Sequence, residues 1–306
     1  MGPGHHVSAL LVVLAAVLMG AGCGSDRTAV RAPAQPSDHP DSCMPRPAAC
    51  GYPDETNTGV AGGTRLAPVT GIVTLDQPGE VYEDKQVTGA IVVTARDVTI
   101  RNVRLVVTDP YYGISVKPDG DWDDDRGSLL VENVEIDMNG RLGLKAIAFN
   151  GYTVRRSFIH DGADCAHFGN DVTIADSLCV LGPDADGDGW PDATGFCKRP
   201  EHFDGFQTNG AARSAIRHNT VRNPCSQTSA IALFGAVRDV TVEGNLMAGG
   251  GYSLYSGSPE ARDVVVAANR FATTWHPRSG RFGTLAHCDA GVTLRGNSRD
   301  RAKVQG

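Results

Sequence analysis

The sequence predicts an all-β fold, a single-stranded right-handed parallel β-helix, and three observations carry that prediction. Eight segments open on the same apolar-polar-apolar pattern: VTIRNVRL from Val98, LLVENVEI from Leu129, YTVRRSFI from Tyr152, VTIADSLC from Val172, SAIRHNTV from Ser214, VTVEGNLM from Val240, VVVAANRF from Val264 and VTLRGNSR from Val292. A second family, YYGISV, LKAIAF, ADCAHF, FDGFQT, TSAIAL, GYSLYS and FGTLA, precedes these or falls between them. No helical periodicity separates the two families. Short β-rich segments recurring every 20 to 31 residues, with one longer interval of 42, suit coils that stack on one another and bury a file of side chains. A β-sandwich would need hairpin turns and gives no reason for the recurrence.

From the N-terminus, the chain first shows an apolar run, VSALLVVLAAVLMGAGC (Val7 to Cys23), of signal-peptide length and ending in small residues. Residues 1–22 are expected to be a signal peptide. GAGC after such a run resembles a bacterial lipobox, which implies acylation of Cys23 and a lipid anchor. Residues 23–42 are polar, Pro-rich and aperiodic, as a disordered tether should be. The β-helix is expected over 43–306, with a rim insertion at 182–203. Export implies an oxidising setting. Of the eight cysteines, seven remain once Cys23 is set aside, so at least one should be unpaired. Cys43 and Cys50 are close enough to clip the domain entrance; the other pairings stay open.

Inward positions of the first family, Val98/Ile100, Leu129/Val131, Tyr152/Val154, Val172/Ile174, Val240/Val242 and Val264/Val266, should stack as an aliphatic core. Asn219, Asn245, Asn269 and Asn297 share one turn position, preceded there by Ser157 and Ser177. They read as a ladder of side-chain amides that satisfies the backbone of a bend. Outward, Arg101, Glu132 and Arg155, then Arg217 and Glu243, alternate in sign and read as exposed ion pairs worth about 0.2–1 kcal/mol each.

Aligning the second family puts Ile147, Ala166, Phe206, Ile231 and Leu254 in an inward column. The outward column is Ala148, His167, Gln207, Ala232 and Tyr255, and the strand entrances hold Lys145, Asp164, Asp204, Ser229 and Tyr252. With coils about 4.8 Å apart, Asp164 and Asp204 become stacked neighbours, with Lys145 one coil below and His202 two positions before Asp204. Two carboxylates so close do not both ionise cheaply without a cation or a shared proton. On an outward face, Asp164, Asp204, His202, His167 and Lys145 are the candidate catalytic groups, with Gln207, Tyr252, Tyr255 and Trp190 as candidate sugar contacts. DADGDGWPD sets Asp184, Asp186, Asp188 and Asp192 at positions 1, 3, 5 and 9 of an EF-hand-like loop with Gly189 at 6, although position 12 is Gly195. That spacing points to Ca²⁺ in a structural role. His160 and Asp161 either cap a turn or extend the site.

From about Cys50 to Asn297 the chain resembles secreted bacterial right-handed parallel β-helix proteins of the pectate-lyase-like superfamily. The residues that carry the resemblance are the opening CGYPDETNTGVAGGTRL, the VTIRN coil strand, YTVRRSFIHD, and HFDGFQ, similar to a His-x-Asp-Gly-x-Gln element. The resemblance implies the fold and a superfamily rich in polysaccharide lyases, glycoside hydrolases and uronate epimerases that also holds adhesins and tailspikes. The Asp-Asp pair, Gly-His-Gly and Arg-Ile-Lys motifs of polygalacturonases are not visible, nor is the Arg-containing signature of pectate lyases. Lyase, hydrolase and epimerase therefore stay open, beside a carbohydrate-binding or cell-surface module without turnover and a purely architectural β-helix.

The balance of 28 Lys+Arg against 35 Asp+Glu gives a formal charge of −7, and no basic cluster follows a phosphate backbone. Nucleic acid is excluded as a partner. The expectation is a monomer outside the cell that acts on an acidic extracellular polysaccharide and touches membrane only through its N-terminal lipid.

Overall fold

The computed structural model describes residues 42–108, 112–117, 128–183, 196–198 and 202–300. Cys23, Trp190, Asp184, Asp186, Asp188 and Asp192 lie outside those residues, as do the expected signal peptide and most of the tether.

Every strand pairing among the described residues is parallel, and the pairings form three ladders. One file runs Ile100, Val131, Val154, Ile174, Ile216, Val242, Val266 and Leu294. A second runs Leu105, Ile136, Ile159, Cys179, Val221, Met247 and Phe271. The third runs Ile91, Ile114, Ile147, Ala166, Phe206, Ile231, Leu254 and Leu285. Parallel strands covered on one face bury near-continuous apolar positions, and the three files meet in one core. The fold is thus the parallel β-helix that the sequence predicts, continuous from Ala67–Leu75 to Ser298–Arg299.

The bend between the first and second ladders is built by the expected amide stack. Asn245 Nδ2 donates to Asn269 Oδ1 at 2.9 Å and to the Ile216 carbonyl at 2.9 Å, while its backbone N–H donates to the same Asn269 Oδ1 at 3.0 Å. Asn219 and Asn269 repeat the pattern on Asn245 and Asn297. Ser177 and Ser157 extend the stack downward, Ser177 N–H donating to Asn219 Oδ1 and Ser157 N–H to Ser177 Oγ. Each rung follows a residue in the left-handed region: Arg156, Asp176, His218, Gly244, Ala268 and Gly296. That conformation turns the chain, and the amide then satisfies the backbone groups the turn leaves open.

Three disulfides join Cys43 to Cys50, Cys165 to Cys179, and Cys197 to Cys225, and Cys288 is also disulfide-bonded. No described cysteine is free, which corrects the expectation that at least one stays unpaired. Such bonds place the chain in an oxidising environment. Among the described residues no helix is long and apolar enough to cross a membrane.

The segment after Cys43 forms a strap across the second ladder. Cys43 and Met44 pack on Leu246, Ala248 and Ala272. Tyr52 stacks on His218 at 5.7 Å, and Glu55 pairs with Arg222. His218 bonds Asp176 through Nδ1 at 2.6 Å and the strap carbonyl of Gly51 through Nε2 at 2.7 Å. On the first ladder Arg155 meets Glu132 at 2.7 Å, whereas Arg101 pairs at 2.5 Å with Glu83 on the preceding coil.

Candidate functional site

The strands Lys145–Phe149, Asp164–Phe168, Asp204–Arg217, Ser229–Glu243 and Tyr252–Tyr255 follow one another along the third ladder. Their register sets Lys145 beside Asp164, Asp164 beside Asp204, and Asp204 beside Ser229. The predicted neighbours are therefore neighbours. Lys145 Nζ reaches Asp164 Oδ2 at 2.5 Å.

Burial corrects the expected outward face of the two carboxylates: Asp164 is 2% exposed and Asp204 0%. They form a ladder of the same kind as the Asn stack. Asp164 Oδ1 accepts the Asp204 backbone N–H at 3.2 Å, and Asp204 Oδ1 accepts the Ser229 backbone N–H at 3.0 Å and its hydroxyl at 2.7 Å. Gly205 makes this bend possible, since a Cβ there would meet the Ala230 carbonyl oxygen at 2.3 Å and Val221 Cγ1 at 2.5 Å. Asp204 Oδ2 has no hydrogen-bond partner among the described residues. Burial, and then the neighbouring Asp164 charge, push the Asp204 carboxyl up to about 7. Burial also raises Asp164, against the opposing pull of Lys145.

In the next column His167, Gln207 and Tyr255 reach solvent, while Ala148 and Ala232 are buried. His167 stands opposite Gln207, Gln207 opposite Ala232, and Ala232 opposite Tyr255. His167 is half-buried, and burial with the nearby Lys145 charge lowers its pKa below the usual histidine value. Its Nε2 lies 3.5 Å from Asn209 Nδ2. His202 is exposed at the rim, close enough for its charge to act on Asp164. Farther along the axis the column turns aromatic. Tyr255 packs against Tyr252 at 5.5 Å, Phe234 at 5.3 Å and His287 at 5.5 Å, while Phe282 joins Tyr252 at 6.0 Å and is 48% exposed.

Compared with protein-family models, with curated proteins and with solved structures, the chain matches none. Function must therefore be read from the site itself. Asn209, Phe234, Phe282 and His287 belong to this face and are missed by the sequence reading. Asn209, Phe234 and His287 fall just beyond the aligned segments, and Phe282 opens FGTLA ahead of its strand; the Tyr255–Ala286 register places His287 one step past a strand already in the alignment. His160 and Asp161, a candidate extension, stand instead on the second ladder in the strand Phe158–Gly162.

Proposed function

We propose that the protein is an extracellular polysaccharide-active enzyme that cleaves a uronate-containing chain by β-elimination. The observation that carries this reading is His167, half-buried opposite Gln207 on the third ladder, where burial and then the Lys145 charge on the preceding coil lower its pKa and favour the neutral ring. A neutral imidazole takes the proton α to the sugar carboxylate; the electron pair forms the double bond, and the glycosidic oxygen leaves, protonated by His202 or solvent. Lys145 offsets the charge that builds on the carboxylate. Gln207 and Asn209 orient the sugar, and Tyr252, Tyr255, Phe234 and Phe282 offer ring faces for stacking. Glycoside hydrolysis is served less well, because it needs two carboxyl groups flanking the bond and both candidates are sealed in the bend. The same sealing, with the aromatic row, favours binding without turnover as the second reading.

Incubation with a panel of acidic polysaccharides, reading unsaturated product in the ultraviolet together with reducing ends, tests the proposal. His167→Ala is expected to lower turnover by about 100-fold or more with unchanged melting temperature. Activity should persist into mildly acidic buffer, because His167 stays neutral below the usual histidine range. Binding by the wild type with no turnover on any member would leave the second reading.

Ca²⁺ at Asp184, Asp186, Asp188 and Asp192 belongs to the same proposal, as a structural ion on the rim insertion that precedes His202. Calorimetry is expected to show binding that Asp186→Ala abolishes; no heat, or heat unchanged by that substitution, removes the ion. Export completes the proposal, and sequencing the N-terminus of the mature protein reads it directly: a chain that retains residues 1–22 would exclude a cleaved signal peptide.

A further inference from the structure

We propose that Asp137, His160 and Asp161 form a binding site for a divalent transition-metal ion of the Zn²⁺ type, on the second ladder and apart from the polysaccharide face. Register places Asp137 directly opposite His160 on adjacent coils. On the other side, the pairing steps from Cys179 opposite Ile159 to Leu181 opposite Gly162. His160 and Asp161 thus stand against the single residue Val180, which is a β-bulge. Asp161 takes the left-handed conformation there, with φ of 59°, and its carboxylate comes round to the His160 ring. One ligand atom from each of the three residues lies within 4.8 Å of the others, and all three residues are half-buried.

The His160 ring is loosely paired with Asp161 and Glu135, at distances wider than a closed charge-assisted bond. His160 Nδ1 is 3.4 Å from Asp161 Oδ2 and Nε2 is 3.4 Å from Glu135 Oε1, whereas a charge-assisted bond closes to about 2.7–2.9 Å. A tetrahedral ion with bonds of about 2.0–2.2 Å holds its ligand atoms about 3.3–3.6 Å apart, a range that contains the Nδ1–Oδ2 separation of 3.4 Å. The remaining nitrogen faces Glu135, itself held by Arg104 at 2.7 Å. A carboxylate on the far side of a ligating imidazole fixes ring orientation and raises its basicity.

A cavity of about 280 Å³ opens beside the cluster, walled by Glu55 of the strap, Arg104, Phe158 and Val180. It gives a fourth coordination position to water or a small anion, as three-ligand zinc sites require. The imidazole argues against Ca²⁺ and Mg²⁺, which take oxygen ligands, and one nitrogen with two carboxylates suits Zn²⁺ or Mn²⁺. No free thiol among the described residues competes for the ion.

The test is calorimetric titration of Zn²⁺ alone into the full, disulfide-bonded protein after chelation and desalting, followed by Co²⁺ to read ligand geometry from its visible spectrum. One ion per chain is expected. Asp137→Asn and His160→Gln should each weaken binding by more than about 100-fold, and Glu135→Gln by about 10–100-fold. Circular dichroism and melting temperature verify that each variant folds, and Asp137→Asn, on a strand away from the strap, keeps the test valid if His160→Gln does not. Absence of saturable Zn²⁺ binding by the wild type overturns the proposal. So does binding that Asp137→Asn leaves unchanged, or that only Asp186→Ala removes.

Discussion

Asp204→Asn is expected to make the protein more stable at pH 8 and to flatten its dependence of stability on pH. The Asp204 carboxyl is fully buried, one of its oxygens has no partner among the described residues, and burial pushes its pKa up to about 7 from an ordinary 3.8. The folded state therefore holds a proton that the unfolded chain gives up over the same range. Linkage fixes the sign: this contribution is fully present below about pH 4 and is lost as pH rises through about 7. At about 1.4 kcal/mol per unit, the loss is on the order of a few kcal/mol. An amide in the same place cannot ionise, and its oxygen keeps the Ser229 N–H and hydroxyl. Thermal melts of both proteins from pH 4 to pH 9 should diverge with rising pH, the variant melting several degrees higher at the alkaline end. Parallel curves would mean that Asp204 is already ionised in the fold. Turnover should survive the substitution, because a fully buried group does not touch a sugar; its loss would return Asp204 to a catalytic role.

How much of this was legible in the sequence depends on how each side chain reports its backbone. The core files were legible, since Ile100, Val131 and Val154 alternate with polar residues at a period of two and recur in each coil. The Asn ladder was legible because one amide can satisfy both a bend and its stacked neighbour, so the residue type names the job. The Asp164–Asp204 contact was legible for the same reason of register, but its burial was not. At that bend Gly205 and Phe206 both face the interior, which breaks the alternation and swings the preceding carboxylates into the corner. A one-residue irregularity moves a side chain to another face, and nothing within FDGFQ announces it. The bulge at His160 and Asp161 was hidden in the same way, because a bulge is defined by the count on the neighbouring strand. Phe282 was hidden by position: it opens the FGTLA segment just ahead of the strand Gly283–Ala286, and only folding brings it to Tyr252.

Lys145→Met is expected to destabilise the protein by an amount that grows with pH, and to abolish recognition of a uronate. Lys145 is the cation for Asp164, its side chain 19% exposed and the carboxylate 2% exposed. Removing one partner of a buried pair leaves an uncompensated charge, a loss of about 3–5 kcal/mol where the other charge persists. Asp164 has an escape, however, because burial already raises its pKa and loss of Lys145 raises it further. At pH 4 the carboxyl simply keeps its proton and the variant should melt near the wild type. At pH 8 the cost of holding that proton, or of burying the charge, is felt in full. Lys145→Met combined with Asp164→Asn removes both charges, leaves the amide oxygen to accept the Asp204 N–H, and should recover most of the alkaline stability. The double variant then separates structure from chemistry: folded at pH 8 but without a cation beside His167, it should neither bind nor cleave an acidic polysaccharide. If it folds and retains full turnover, Lys145 serves only to neutralise Asp164, and the uronate must find its positive charge elsewhere on the coil.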